Sequence, residues 1–426
     1  MSGDPVIIVG AGAAGLSAAA TLTGAGRPVT LLEARDRLGG RIHTLHSSSL
    51  PVPIELGAEF VHGQPEEILE LVQRQGLSTY EVGEEHHVFE RGTLRPVGAF
   101  WSRVEQVLHG LDVGGADRSV ASALEPHRRS KAGQWAARYV EGFHAADLVA
   151  MSVRALARSE GGSASGASGA ARLLEGYDAI PSAMAGALHG PLVDLRLRVT
   201  ARVIQWEPGR VSVTMESDDG TPGGTLTGSA AIVTVPLGVL QAPDAPGGLR
   251  VTPTPDAWAS AMSLLRMGSV LRLVLRFRRT PWPPDLGFLH VPGSRLPTWW
   301  TPAPLRCPII TAWAGGPSAE SLLGLDRQEL IGTALDVLAP AIGAGRQELG
   351  NLLVDAHHHD WSADPLARGA YSYALVGGAD AFEALGAPVA GTLIAAGEAT
   401  AGGGDNGTVQ GAIASGRRAA RALLDR

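Results

Sequence analysis

The stretch Pro5-Val6-Ile7-Ile8-Val9-Gly10-Ala11-Gly12-Ala13-Ala14-Gly15-Leu16 constrains the fold more than any other part of this chain. Four successive apolar residues predict a buried strand, a Gly-x-Gly-x-x-Gly turn follows, and an Ala/Leu-rich helix runs to about Thr23. Gly10 permits the tight turn, and Gly12, with Ala14 after it, lets backbone approach a pyrophosphate. Gly15 lets helix and strand pack closely, so the free N–H groups of the helix start face the phosphates. Val29 to Leu32 is expected as the second strand. Glu33 stands at its end, about twenty residues on, where a carboxylate accepts the ribose hydroxyls. A dinucleotide site in a Rossmann-like α/β domain is therefore expected.

The next residues decide which dinucleotide. Glu33-Ala34-Arg35-Asp36-Arg37-Leu38-Gly39-Gly40-Arg41 adds a second Gly-Gly turn and an arginine. An extended flavin cofactor uses a second backbone approach of this kind, with Arg41 near its phosphates, whereas a nicotinamide does not. Here the chain resembles the flavin-containing amine oxidase family of monoamine, polyamine and L-amino-acid oxidases, with FAD as cofactor. The resemblance recurs along nearly the whole length.

In Leu56-Gly57-Ala58-Glu59-Phe60-Val61-His62-Gly63 it implies that Leu56, Gly57 and Ala58 bring backbone to the flavin ring, while Glu59, Phe60 and His62 border the substrate. Near Ala201 it implies a backbone contact to adenine. In Gly268-Ser269-Val270-Leu271-Arg272-Leu273-Val274-Leu275-Arg276-Phe277, Arg272 stands where the family carries a lysine beside the flavin. Fast reoxidation by oxygen does not follow from the sequence, and another acceptor stays open. Trp361 and Tyr371 match aromatic residues that line the reactive face of the flavin. Ala370 replaces the cysteine that links flavin covalently in monoamine oxidases, so non-covalent FAD is expected. Gly397, Glu398, Thr408 and Val409, ahead of a C-terminal helix, match the segment that holds the ribityl–pyrophosphate region and the ring.

Elsewhere the reading is coarser. Residues 64 to about 110 carry mixed helical signals, and Glu81, Glu84 and Glu85 beside His86 and His87 are expected as a solvated face or an acidic funnel for cationic amines. Residues 132–157 predict two helices with Trp135, Tyr139, Phe143 and Leu148 inward, and 159–171 predicts a mobile lid or hinge. Leu192 to Trp206 alternates as one strand, 211–215 and 226 onward flank a hairpin tip, and Val270 to Phe277 alternates as another strand. His357, His358 and His359 point to alternate faces of a strand and do not converge on one metal ion.

With 426 residues, two domains are expected: an FAD-binding domain from 1–80, 176–250 and 381–426, and an interleaved mixed α/β substrate domain from 81–175 and 251–380. A net charge of −7 argues against nucleic acid and anionic membranes, and no apolar run has the length of a bilayer span. The lone Cys307 allows no internal disulfide and, with a strand beginning near residue 5, suits a cytoplasmic protein without a signal peptide. The lysine count of one, Lys131, reflects composition bias. The expected chemistry is polyamine/monoamine oxidase-like: oxidation of an amine C–N bond with oxygen or another acceptor, His62 and Thr408 resembling the polyamine-oxidising or bacterial branch more than the monoamine oxidases. An L-amino-acid oxidase, with Arg272, Arg276 or Arg306 meeting the substrate carboxylate, and a desaturase or porphyrinogen-type oxidase are the alternatives.

Overall fold

A computed structural model describes residues 4–50, 52–83, 85–162, 169–188, 190–217 and 220–425. At its centre is a parallel sheet in the order Val193–Arg196, Val29–Leu32, Val6–Val9, Ala230–Val233, Leu393–Ala395. Val29–Leu32 and Ala230–Val233 flank Val6–Val9, and Val193–Arg196 and Leu393–Ala395, from distant parts of the chain, add the outer strands. The three middle strands are buried along their whole length, which is why they read as unbroken apolar runs. One face, through Val6, Ile8 and Leu31, packs on the helix Ala13–Gly24 and on Val409–Leu424. The other, through Ile7, Val9 and Leu32, packs on Ile204, Val213 and Trp258.

The first and last helices touch closely. A side chain at Gly416 would meet the Ala14 carbonyl at 2.1 Å, and the Ser17 hydroxyl donates to the Ile413 carbonyl at 2.8 Å. The ends of the chain are thereby fixed to each other beside the glycine-rich turn.

A second, seven-stranded sheet runs Leu353–His358, Val270–Phe277, Ile309–Gly315, Thr298–Trp300, Phe288–His290, His86–Glu90, Thr93–Pro96. In Val270–Phe277, Leu271, Leu273, Leu275 and Phe277 turn to a core capped by the helix Arg327–Ala341, and Arg272 turns the opposite way. That helix starts on a capping box between Asp326 and Glu329. A separate helical core gathers Tyr139, Val140 and Leu156 from Lys131–Phe143 and Val153–Glu160. Val251, Trp258 and Leu265 pack with the parallel-sheet residues.

Two sequence expectations differ from the structure. The single strand across 192–206 is two, Val193–Arg196 and Val199–Glu207, in different sheets; Arg198 at φ 60 breaks the run, so Leu195 and Leu197 stay exposed. Residues 64–110 hold the strands Thr79–Glu81, His86–Glu90 and Thr93–Pro96 besides the helices Glu66–Gln75 and Phe100–Leu108, because pairing to distant strands overrides weak local helical signals. Glu81 and Glu85 are exposed, as a solvated face requires, while His86 and His87 beside them are buried at 4% and 8% exposure. Glu84, the hairpin-tip residues 218–219 and the central part of the expected lid, 163–168, lie outside the described residues.

Candidate active site

The Val6–Val9 strand delivers the chain into a turn that only glycine fits. Gly10 has φ +105, and a side chain at Gly15 would lie 1.9 Å from the Gly10 carbonyl oxygen. Thr234, from the neighbouring strand end, holds its hydroxyl 2.8 Å from both the Val9 and Gly10 carbonyls. Glu33 is buried at the end of the second strand. Its carboxylate accepts the Ala11 N–H at 2.8 Å and the Arg35 N–H at 2.9 Å. Burial pushes its pKa up, and those two backbone donors oppose the shift. Gly39, at φ +96, donates its N–H to Ala11 and closes the second glycine turn on the first.

Arg41 joins the two ends of the chain at this point. Its guanidinium donates to Glu398 at 2.8 Å and to the Ala370 carbonyl at 2.7 Å. Glu398 also accepts the Ser372 hydroxyl at 2.6 Å and the Gly407 N–H at 3.2 Å, so its carboxylate is committed to the scaffold. Arg35 is likewise committed, pairing with Asp364 at 2.9 Å. That pairing and a hydrogen bond from His359 pull the Asp364 carboxyl well below its ordinary value, against a raising effect of burial. Thr408 caps the C-terminal helix by accepting the Gly411 N–H at 3.0 Å.

From this end a continuous cavity of about 740 Å³ runs to a cage of rings. Every residue that the family resemblance places at the flavin or its reactive face lines it except Gly15 and Gly397, whose parts are in the backbone around it. The Trp361 indole donates to the Leu56 carbonyl at 2.8 Å, and the Tyr371 hydroxyl donates to the Phe143 carbonyl at 2.6 Å. His62 sits 5.3 Å from the Phe143 ring and 5.7 Å from Phe60. Burial lowers its pKa to about 4, so the imidazole is neutral at pH 7, and its Nδ1 has no partner among the described residues.

Glu59 lines the cavity, and its carboxylate is already engaged by neighbours. It pairs with Arg172 at 2.6 Å and with Arg272, and it accepts the Trp300 indole N–H at 3.1 Å. Arg272 also donates to the Glu55 and Gly57 carbonyls and lies 5.4 Å and 5.6 Å from the Trp300 and Trp313 ring centres. Neither Arg276 nor Arg306 lines the cavity; Arg276 donates to the Ser49 carbonyl. The three arginines considered for a substrate carboxylate therefore leave no free guanidinium there. Cys307 is buried with Ile54 and Ile309 away from the cavity lining. The three adjacent histidines have separate partners: His357 faces Asp355, His358 the Arg272 carbonyl and His359 Asp364.

Sequence reasoning missed Arg172, Trp300 and Trp313, which carry no local motif, and the His86–His290 pair at 2.9 Å in the cavity wall. It also missed Glu55. Its carboxyl takes the Thr44 hydroxyl at 2.6 Å and the Tyr177 N–H at 2.7 Å, and burial lifts it from 4.5 to about 8. The folded chain keeps this proton between those values while the unfolded chain gives it up. The stability it contributes is thus complete below pH 4.5 and is lost as pH rises to about 8. Glu55→Gln should match the parent protein near pH 5 and unfold at a higher temperature than the parent near pH 8. A melting-temperature difference that stays flat with pH would contradict this.

The residues fit a flavin dinucleotide. Glycines at 10 and 15 leave room where a Cβ would collide, a carboxylate ends the second strand, and the ring cage lies at the other end of one cavity. The family model described as flavin containing amine oxidoreductase matches residues 13–162 and 116–424. Polyamine oxidase 5 of Oryza sativa subsp. japonica is 30% identical over 457 residues, covering 96% of this chain and 86% of the relative. A solved putrescine oxidase bound to putrescine superposes with a TM-score of 0.82 at 19% identity over 99% of both chains. Cyclohexylamine oxidase from Brevibacterium oxydans IH-35A gives 0.80 at 20% identity over 100% of both.

Proposed function

The chain belongs to the flavin-containing amine oxidoreductases, and we propose that it holds FAD without a covalent link and oxidises the C–N bond of a small, mainly apolar amine. The observation that carries this is the single cavity joining the glycine turns to the ring cage. When bound, FAD would supply the two-electron oxidation of the C–N bond to an imine, which water hydrolyses.

The protein's part is to bind, orient and keep water away. The first turns of Ala13–Gly24 and Val409–Leu424 offer backbone N–H groups to the pyrophosphate and to the ring edge where negative charge collects. Glu33 is placed for ribose hydroxyls. Tyr371, Trp361, Phe60 and the neutral His62 hold the reacting carbon in a dry slot. Cavity placement of Ala370, Cys307 being remote, supports a flavin released by denaturation.

Substrate charge is argued from the carboxylates that line the cavity. Glu33, Glu59 and Glu398 are committed to backbone groups, arginines or hydroxyls. That leaves Glu141, which shares its helix with Arg138 three residues earlier in the same lining. The same lining includes Trp101, Trp135, Phe288 and Trp300. One ammonium on a cyclic or aromatic body suits this wall, whereas a second buried ammonium would lack committed partners. The buried thiol supports a reducing, cytoplasmic setting, and among the described residues no helix is long and apolar enough to cross a membrane. Oxygen as the final acceptor is part of the proposal.

An anaerobic amine panel tests it. Benzylamine or cyclohexylamine should bleach the bound flavin faster than putrescine or spermidine, and admitting air should restore the yellow colour with hydrogen peroxide formed. Flavin that no amine bleaches would refute the reading. Acid precipitation should leave the flavin in the supernatant.

A further inference from the structure

Helix Lys131–Phe143 ends at the ring cage, and the residue after it is a histidine whose one nitrogen is held and whose other is free. His144 Nε2 lies 2.8 Å from Glu160 Oε1, at the end of helix Val153–Glu160. Both side chains are nearly buried, 11% and 6% exposed, and the Tyr139 hydroxyl donates to the same carboxylate oxygen at 3.1 Å. His144 lines the cavity. Its Nδ1 makes no hydrogen bond among the described residues and is not one of the fully enclosed atoms. A carboxylate accepts, so Nε2 carries the hydrogen and Nδ1 presents a lone pair.

Its position relative to the reacting centre is fixed by its neighbour. The Phe143 carbonyl accepts the Tyr371 hydroxyl at 2.6 Å, and the Tyr371 ring packs 3.4 Å from where a Cβ on Gly407 would sit, just before the C-terminal helix. His144 is thus one peptide unit from the group that anchors the cage wall.

We infer that His144, oriented by Glu160, takes the proton from the substrate ammonium and so delivers the neutral amine to the site. This rests on the amine reading above. Alkyl amines with pKa about 10 arrive protonated at neutral pH, and an ammonium has no lone pair to assist loss of hydride from the adjacent carbon. In the step, one N–H bond of R–CH2–NH3+ breaks and the proton joins Nδ1, giving R–CH2–NH2 and an imidazolium; no electrons change hands. Glu160 and the carbonyl end of helix Lys131–Phe143 stabilise that imidazolium. The proton passes to water when the product leaves and the cavity refills.

Other groups in the cage are less suited. Burial holds His62 at about 4, which makes it a weak base. Tyr371 already donates to a carbonyl, and Arg272 is permanently charged and paired with Glu59. His144 is the catalytic residue of this proposal and Glu160 its positioning residue.

The pH dependence of kcat/KM for benzylamine, measured on the FAD-loaded protein, tests the pair. His144→Leu should lower kcat/KM by about a hundredfold near neutral pH, with the deficit closing as pH approaches that of the free amine. Glu160→Gln should shift the acid limb in the same sense by a smaller factor, with flavin content equal to the parent in both. A His144→Leu profile parallel to the parent at every pH would overturn the inference. A second readout needs no turnover: 15N NMR of histidine-labelled protein should find His144 as the Nε2–H tautomer, with Nδ1 shifting on anaerobic addition of benzylamine. The Nδ1–H tautomer, or no shift, overturns it. If no amine is oxidised, the amine reading falls, and the NMR result decides His144 by itself.

Discussion

Glu59→Gln is expected to destabilise the protein by about 3–5 kcal/mol, because it strands two buried guanidinium groups against one neutral amide. Arg172 and Arg272 are 5% and 4% exposed, and both direct a charged nitrogen at this carboxylate. Trp300 adds an indole donor to it. Urea unfolding should show a lower midpoint at unchanged slope, since the same surface is exposed on unfolding. The double variant Glu59→Gln/Arg272→Met should recover part of the loss, because an apolar chain of similar length needs no counter-charge in this place. A single variant that loses under about 1 kcal/mol would mean that water or a shifted Arg172 satisfies the cluster.

Gly15→Val is expected to yield protein without flavin. A Cβ at this position lies 1.9 Å from the Gly10 carbonyl oxygen and 3.0 Å from the Gly10 carbonyl carbon. Relieving that clash means moving the first helix away from the first strand, and with it the N–H groups that face the pyrophosphate. The ratio of flavin to protein absorbance should fall at least about tenfold after dialysis, a change of about 1.4 kcal/mol or more in binding. Gly24→Ala is the control. No atom stands within 4 Å of its Cβ, it ends the same helix, and the change should leave flavin content alone while stabilising the helix by up to about 1 kcal/mol. Retained flavin in Gly15→Val would show that the turn tolerates separation.

The cofactor end was legible because its requirements are local. Gly10, Gly12 and Gly15 fall within six residues of one strand, and Glu33 follows from the length of one helix and one turn. The C-terminal helix was legible for the same reason: Gly397, Glu398, Thr408 and Val409 sit next to the strand and helix they serve. The alternation of Val270 to Phe277 also survived, because one face of that strand meets a core and the other the cavity.

The substrate end was not legible in the same way. His86 and His87 carried no signal beyond standing beside an acidic cluster, yet pairing of His86–Glu90 with Phe288–His290 buries them and sets His86 against His290. Glu59 read as bordering the cavity, but no local signal showed that Arg172, from a strand more than a hundred residues later, pairs with its carboxylate. His144 carried no motif, and its partner Glu160 lies across a turn between two helices.

By itself the sequence determined the parallel sheet, its glycine turns and the class of cofactor they accept, since these depend on backbone sterics and period-two burial within short windows. Only the tertiary structure decided which charges are free and which are spent, and which histidines line the cavity. Hydrogen bonding and desolvation act between groups that meet in space, whatever their separation along the chain.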